Sequence, residues 1–330
     1  MAKVGIIGTG WGLTHLGAFR AAGAEVVALC GRDPGKTRSV AEREGVPLGT
    51  ADVGELIDSA DVVVVASPPD AHGAHVEAAL RAGRHVLCEK PVSRSALEAE
   101  ALAALAAETP GAVTAVNFPM RWLGPLAALR GAVAEGRIGA VRAVTAVVTH
   151  GFGAEPATED GLSPSAEFGG ASHAVDAALW LAGDEPERVS GEFMGGPGRG
   201  IALLASTRGG AAVSVVFGAG RVPGIWGTWR LVGEEAEASF SAGYVPAVGG
   251  WVVEAVRLGD EALTERISSD PAAGDVDPWF LSHVFCAKSF LAAVKSGDRG
   301  ALPGFADGAR VQRVLVAAAD SACSGRCAEI

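Results

Sequence analysis

Glycines crowd one turn near the start of the chain, in Gly8-Thr9-Gly10-Trp11-Gly12-Leu13. They follow a short apolar run, Lys3–Ile7, and precede a helical pattern that extends through Ala22. A glycine turn between strand and helix can cradle a pyrophosphate. The first glycine permits the tight turn, the second lets the backbone approach the ligand, and the helix N-terminus faces the negative charge. Gly8, Gly10, Trp11 and Gly12 are therefore the first candidates for binding a dinucleotide. Leu13 fills the third position of the pattern, where Gly or Ala normally eases helix–strand packing, and Gly12 beside it offers relief.

The next apolar run, Glu25–Cys30, ends in Cys30-Gly31-Arg32-Asp33, with Lys36 close behind. A carboxylate at this spot suits the ribose hydroxyls of NAD, and an arginine suits the 2′-phosphate of NADP. Arg32 can stack on adenine and pair with phosphate, and Gly31 brings no opposing carboxylate. Asp33 reads either as a ribose ligand one position late or as a helix N-cap. The balance favours NADP and leaves NAD open.

Other chemistry is weakly represented. Cys30, Cys88, Cys286, Cys323 and Cys327 are scattered and odd in number, which suits reduced thiols in a cytoplasmic protein. The seven histidines lack metal-ligand spacing, so no metal is expected. A net charge of −11 argues against a nucleic-acid partner, whose phosphates reward clustered Lys and Arg. The N-terminus lacks the pattern of a secretory signal, and no apolar run is long enough for a membrane helix.

The elements that must carry these residues alternate over the first 120 positions. Strand patterns at Lys3–Ile7, Glu25–Cys30, Val46–Leu48, Asp61–Ala66, His85–Cys88 and Val113–Val116 are separated by helical spacing at 36–44, 52–59, 71–82 and 94–107. The unbroken valines of 62–65 mark a strand buried on both faces. Such alternation predicts a Rossmann-type, doubly wound parallel sheet over 1–120. From 121 to 330 the texture changes. A helix at 126–136, a strand at 140–149 and a helix at 171–182 surround a long loop, 151–170. Strands near 187–194, 201–206, 211–217, 226–232, 236–240 and 251–257 predict a large, mostly antiparallel sheet. Helices near 279–295 and 305–324 follow. The two predicted domains are a dinucleotide-binding one and a substrate-binding and oligomerisation one.

Further stretches carry a family pattern: Ser67-Pro68-Pro69-Asp70-Ala71-His72, Glu89-Lys90-Pro91, Asn117-Phe118-Pro119-Met120-Arg121, Gly136-Arg137-Ile138-Gly139 and His173-Ala174-Val175-Asp176. Through them the chain resembles the Gfo/Idh/MocA oxidoreductases along essentially its whole length. Glu-Lys-Pro behind a strand is the most specific of these elements. The resemblance implies a Rossmann domain joined to a domain with a large open sheet that makes homodimers or homotetramers. It also implies hydride transfer at one carbinol or carbonyl carbon of a sugar-like or other small polar substrate.

The same resemblance places Lys90 beside the reacting oxygen, where an ammonium stabilises developing negative charge. It makes His173 the proton-transfer residue. Asp176, one turn on, reads either as a catalytic partner that orients the ring or as a carboxylate facing the helix N-terminus of the substrate domain. Ser67, Pro68, His72, Glu89, Lys90 and Arg121 join the cofactor-binding set. One departure stands out: many relatives carry an acidic residue four positions before the histidine, and here that residue is Gly169. Glu159, Asp160 and Glu167 are candidate replacements. The gap admits a second reading, a redox-neutral enzyme that retains its nicotinamide; a third, a non-catalytic cofactor sensor, is opposed by the intact Glu89-Lys90-Pro91. Phe152 and Phe168 in the loop point to a pocket less polar than a free hexose wants.

Overall fold

The structure is a computed structural model that describes residues 2–150, 166–195, 200–219, 224–245, 250–268 and 276–330. Loop residues 151–165, with Phe152, Glu159 and Asp160, lie outside the described residues, as do the side chains of Glu167 and Phe168. Contacts divide the chain into two units, Met1–Pro119 with Phe280–Gln312, and Met120–Trp279 with Arg313–Ile330. The sequence reading kept everything after residue 120 together, whereas residues 280–312 belong with the first unit. The physical reason is apolar packing: Phe290 meets Phe19 edge-on with ring centroids 6.5 Å apart, and Gly308 lies against Val92 and Val116.

The first unit is built on strands β1 (Lys3–Ile7), β2 (Glu25–Cys30), β3 (Leu48–Thr50), β4 (Val62–Val65), β5 (His85–Cys88) and β6 (Thr114–Val116). They form one six-stranded sheet in the order β3-β2-β1-β4-β5-β6, and every pairing is parallel. Helices α1 (Gly12–Ala21), α2 (Pro34–Arg43), α3 (Val53–Ser59), α4 (His72–Arg81) and α5 (Ala96–Ala107) make the crossovers. All four valines of β4 are fully buried, as a strand covered on both faces requires. Short polar side chains start three of the helices. Asp33 accepts from the Lys36 N–H, Asp52 from Gly54 and Glu55, and Ser95 from Glu98, satisfying amides that have no intrahelical partner.

The second unit begins with α6 (Gly124–Ala134), whose first turn holds Pro125, and continues through β7 (Val141–His150) and α7 (Ala166–Ala182). Strands β8 (Pro186–Phe193), β9 (Gly200–Thr207), β10 (Ala212–Ala219), β11 (Ile225–Gly233) and β12 (Glu237–Val245) follow. The short strands β13 (Gly250–Val253), β14 (Arg257–Leu258), β15 (Glu261–Ala262) and β16 (Ile267–Ser268) come next. Helices α8 (Pro278–Ser296) and α9 (Phe305–Ser324) and strand β17 (Ala328–Glu329) end the chain. Among the described residues these strands make an 11-stranded sheet in which only β7 and β10 pair in parallel. Side chains along β7 alternate, with Val144, Ala146 and Val148 buried beneath α7 and Val147 turned outward.

One boundary differs from the sequence reading for an instructive reason. Gly169 and Gly170, read as the end of the long loop, lie inside α7. A Cβ on Gly170 would stand 2.1 Å from the Phe217 ring of β10. The glycine is a packing residue, and close approach of helix to sheet outweighs its poor helix propensity.

Candidate active site

At the carboxyl ends of β1, β2 and β4 the first unit opens a cleft of about 610 Å³. Open α/β sheets bind ligands at this edge, where the strand order reverses. Gly8, Gly10, Trp11, Arg32, Ser67 and Pro68 line the cleft together, six of the residues singled out from sequence. Gly8 has a φ of +126°, and a Cβ there would lie 2.2 Å from the Ala66 carbonyl oxygen, so no other residue fits without strain. At Gly10 a Cβ would meet nothing within 4 Å, leaving open space over the turn. Gly12 starts α1 against Ile6, where a Cβ would come within 3.0 Å. No side chain caps the first turn of α1, and an uncapped helix N-terminus suits an anion.

Asp33 is the N-cap of α2, its Oδ1 2.9 Å from the Lys36 N–H, while Arg32 lines the cleft. Asp70 and His75 line it too, and the sequence reading gave neither a role. The Ser67 hydroxyl lies 3.0 Å from His75 Nδ1, and burial followed by the charge of His72 pushes the His75 imidazole below its usual pKa. His72 itself stands behind the cleft. It is buried, with its ring nitrogens 2.8 Å from the Pro91 carbonyl oxygen and 2.7 Å from that of Ser67. It ties the segment after β4, which lines the cleft, to the segment after β5.

Glu89 and Lys90 follow β5, and the Lys90–Pro91 peptide bond is cis. Buried Glu89 is the hub of a network. Its Oε1 accepts from Trp11 Nε1 at 2.8 Å and Asn117 Nδ2 at 2.6 Å, and lies 2.7 Å from His15 Nε2. Its Oε2 accepts from the Lys90 backbone N–H at 3.1 Å. Burial alone would raise this carboxyl, but the His15 hydrogen bond and the charges of His15, Lys90 and His283 hold it well below the usual carboxylate range. Asn117 Nδ2 is also 3.2 Å from His283 Nδ1. Burial, and then the charge of His15, lowers His283 to about 4, so it is neutral near pH 7. Lys90 is half-buried, and burial lowers its pKa against the opposing pull of Glu89. The result is an ammonium softened towards proton transfer and fixed at its backbone by an anion.

His15, Asn117 and His283 complete this network, and the sequence reading gave none of them a role in the site. His15 stands one helical turn after Gly12, which was a usable signal. The distant His283 gave none.

In the second unit His173 borders a small pocket of about 110 Å³ under α7. Its ring meets Trp279 edge-on at 5.4 Å, and Trp279 stacks on Trp251 with centroids 5.8 Å apart and planes 2° apart. Asp176 and Arg121 lie together in the same unit, and both are buried. Arg121 donates to Asp176 from Nε at 2.9 Å and from Nη2 at 2.6 Å, with its guanidinium over the Trp180 ring. Arg121, expected in the cofactor-binding set, is thus held by Asp176 within its own unit. Asp176 is engaged bidentately by the guanidinium, which ties α7 to the residues just before α6. His150, at the end of β7, is buried and stacks on Phe217 at 5.0 Å.

A doubly wound sheet with a glycine turn, a cleft at the strand reversal and a poised lysine defines the class of dinucleotide-binding oxidoreductases. The chain belongs to the Gfo/Idh/MocA family: the model of the oxidoreductase family with an NAD-binding Rossmann fold matches residues 2–118, and that of the GFO/IDH/MocA C-terminal domain matches 126–240. It is similar to a 1,5-anhydro-D-fructose reductase of Ensifer adhaerens, 32% identical over 193 residues, which are 56% of this chain and 57% of that protein. It is also similar to a dTDP-3,4-didehydro-2,6-dideoxy-alpha-D-glucose 3-reductase of Streptomyces violaceoruber. There the identity is 31% over 242 residues, 68% of this chain and 67% of the relative. The chain thus spans little more than half the length of the first relative and two thirds of the second. Among solved structures, an oxidoreductase domain protein from Kribbella flavida matches with a TM-score of 0.80 and 28% identity, covering 100% of both chains.

Proposed function

We propose that this chain is an NADP(H)-dependent dehydrogenase or reductase acting at a carbinol or carbonyl carbon of a sugar-like or other small polar substrate. The observation that carries the reading is Lys90, fixed by the Glu89 network beside a cleft of dinucleotide size. The nicotinamide cofactor, when bound, gives or takes a hydride. Gly8 and Gly10 with the start of α1 hold its pyrophosphate, Arg32 its 2′-phosphate, and Ser67 and Pro68 border it. Asp33 supports NADP over NAD, because its carboxylate caps α2 and so does not compete with a phosphate at Arg32. Lys90 donates a hydrogen bond to the substrate oxygen and balances the charge that develops there during reduction. His173 passes a proton at the same stage, the role that the family pattern assigns to it.

Names of relatives support a carbohydrate-like substrate, since two of them are reductases of sugar derivatives. The exposed face of the large sheet supports a homodimer or homotetramer, and free thiols at all five cysteines support a cytoplasmic location. Among the described residues, no helix is long and apolar enough to cross a membrane.

The test is a panel of ketosugars and polyols with NADPH or NADP⁺, followed at about 340 nm, where the reduced nicotinamide absorbs. Lys90→Ala is expected to lose about a hundredfold or more in kcat while still binding NADPH, the scale of removing one preorganised donor. Unchanged kcat in that variant refutes the assignment of Lys90. Failure of the wild-type protein to bind either dinucleotide refutes the whole reading.

A further inference from the structure

We propose that the substrate carries an aryl group and that the pocket beside His173 is its binding site. This rests on the reading of the chain as a dehydrogenase or reductase and narrows its substrate class.

The argument starts from what surrounds the cavity. Trp251, Trp279, Phe217, Phe240 and Met120 form its walls, all from the second unit. Trp251 and Trp279 present nearly parallel rings, and His173 stands edge-on to Trp279. Met120 supplies a soft thioether of the kind that packs well against ring edges. A wall of this composition solvates a hydroxyl poorly, because a buried polar group without a partner costs free energy. A fully hydroxylated ring presents such groups all round its edge. Among the described lining residues, His173 and the indole nitrogens supply the polar side-chain atoms, and the rest of the wall is apolar.

Size points the same way. The cavity holds about 110 Å³, and a dry apolar cavity of about 150 Å³ is known to bind benzene. One six-membered carbon ring, with its attachment point towards the open side, matches that space. The aromatic walls favour offset and edge-on contacts with a planar ring. His173, itself part of the lining, is then the polar group that a carbinol or carbonyl attached to the ring would meet.

The experiment compares phenyl β-D-glucopyranoside with methyl β-D-glucopyranoside on the NADP⁺-loaded protein, by calorimetry and by saturation-transfer NMR. The phenyl glycoside is expected to bind at least about tenfold tighter, a difference the two affinities report directly, with saturation strongest on the aryl protons. Trp251→Ala and Trp279→Ala are each expected to remove most of that preference, read as the ratio of the two affinities. Trp279→Phe, which keeps an aromatic wall, is expected to retain it and covers the case in which the alanine variant fails to fold. Equal affinity for the two glycosides, or a preference untouched in Trp251→Ala and Trp279→Ala proteins that still bind NADPH, overturns the proposal. Loss of dinucleotide binding in the wild type would overturn the dehydrogenase reading itself, so the two failures are distinguishable.

Discussion

Arg32 and Asp33 are neighbours in sequence, but the fold directs their charges to different tasks. The carboxylate accepts the Lys36 amide at the start of α2, and the guanidinium lines the cleft. Arg32→Gln should therefore raise KM for NADPH by about ten- to hundredfold, the scale of one charge-assisted contact, and leave KM for NADH nearly unchanged. Steady-state kinetics with both cofactors measures this, and an equal rise for both would contradict a phosphate-binding role. The Glu89 network carries a second prediction, about pH. His283 is buried and holds its proton only below about 4 in the folded protein, against an ordinary value of 6.5. Between those values the unfolded chain binds a proton that the native state refuses, so stability is full above 6.5 and falls as the pH drops towards 4. The slope contributed by this group approaches about 1.4 kcal/mol per pH unit. Glu89, with its depressed pKa, adds a further loss only below its ordinary value of 4.5. Urea unfolding at a series of pH values should show the first slope reduced in His283→Gln; an unaltered slope would place the titration elsewhere.

At the scale of elements, α7 shows how strongly packing can override local preference. Gly170 lies where the Phe217 ring leaves no room for a Cβ, so Gly170→Ala should destabilise by about 1–3 kcal/mol despite alanine's better helix propensity. Thermal denaturation measures this, and a rise in Tm would show that the helix tolerates the shift. The same element explains why the sequence read as a loop there: two adjacent glycines mimic a turn when the ring that requires one of them is some fifty positions away. Elements set by local pattern were legible. The four valines of β4 announced a strand covered on both faces, and the glycine turn announced a ligand at its end. Side chains whose meaning depends on distant partners were not. Arg121 and Asp176 belong to motifs that suggest a cofactor contact and a catalytic group, yet they close on each other in a buried pair. Asn117 and His283 acquire a role only once α8 is known to contribute to the first unit.

For the whole molecule the informative surface is the outer face of the large sheet. On its inner face β7 buries alternate residues under α7, so the outward positions would ordinarily be charged or strongly polar. Instead one cross-strand row reads Thr228, Val147, Val216 and Ala202, and the next reads Arg230, Thr145, Ser214 and Leu204. Val147 and Leu204 remain 40% and 55% exposed on this face. Isolated apolar residues on a surface need no explanation, but a row of them is what the proposed homo-oligomer would cover. A homodimer through this face joins identical patches, so one substitution is felt twice at each interface. The double variant Val147→Glu, Leu204→Glu places like charges across the joined face while leaving the buried side of β7 and β9 untouched. Light scattering after size-exclusion chromatography should give at least twice the chain mass for the wild type and a single chain mass for the variant. An unchanged mass in the variant, with its melting curve intact, would move the interface to another surface.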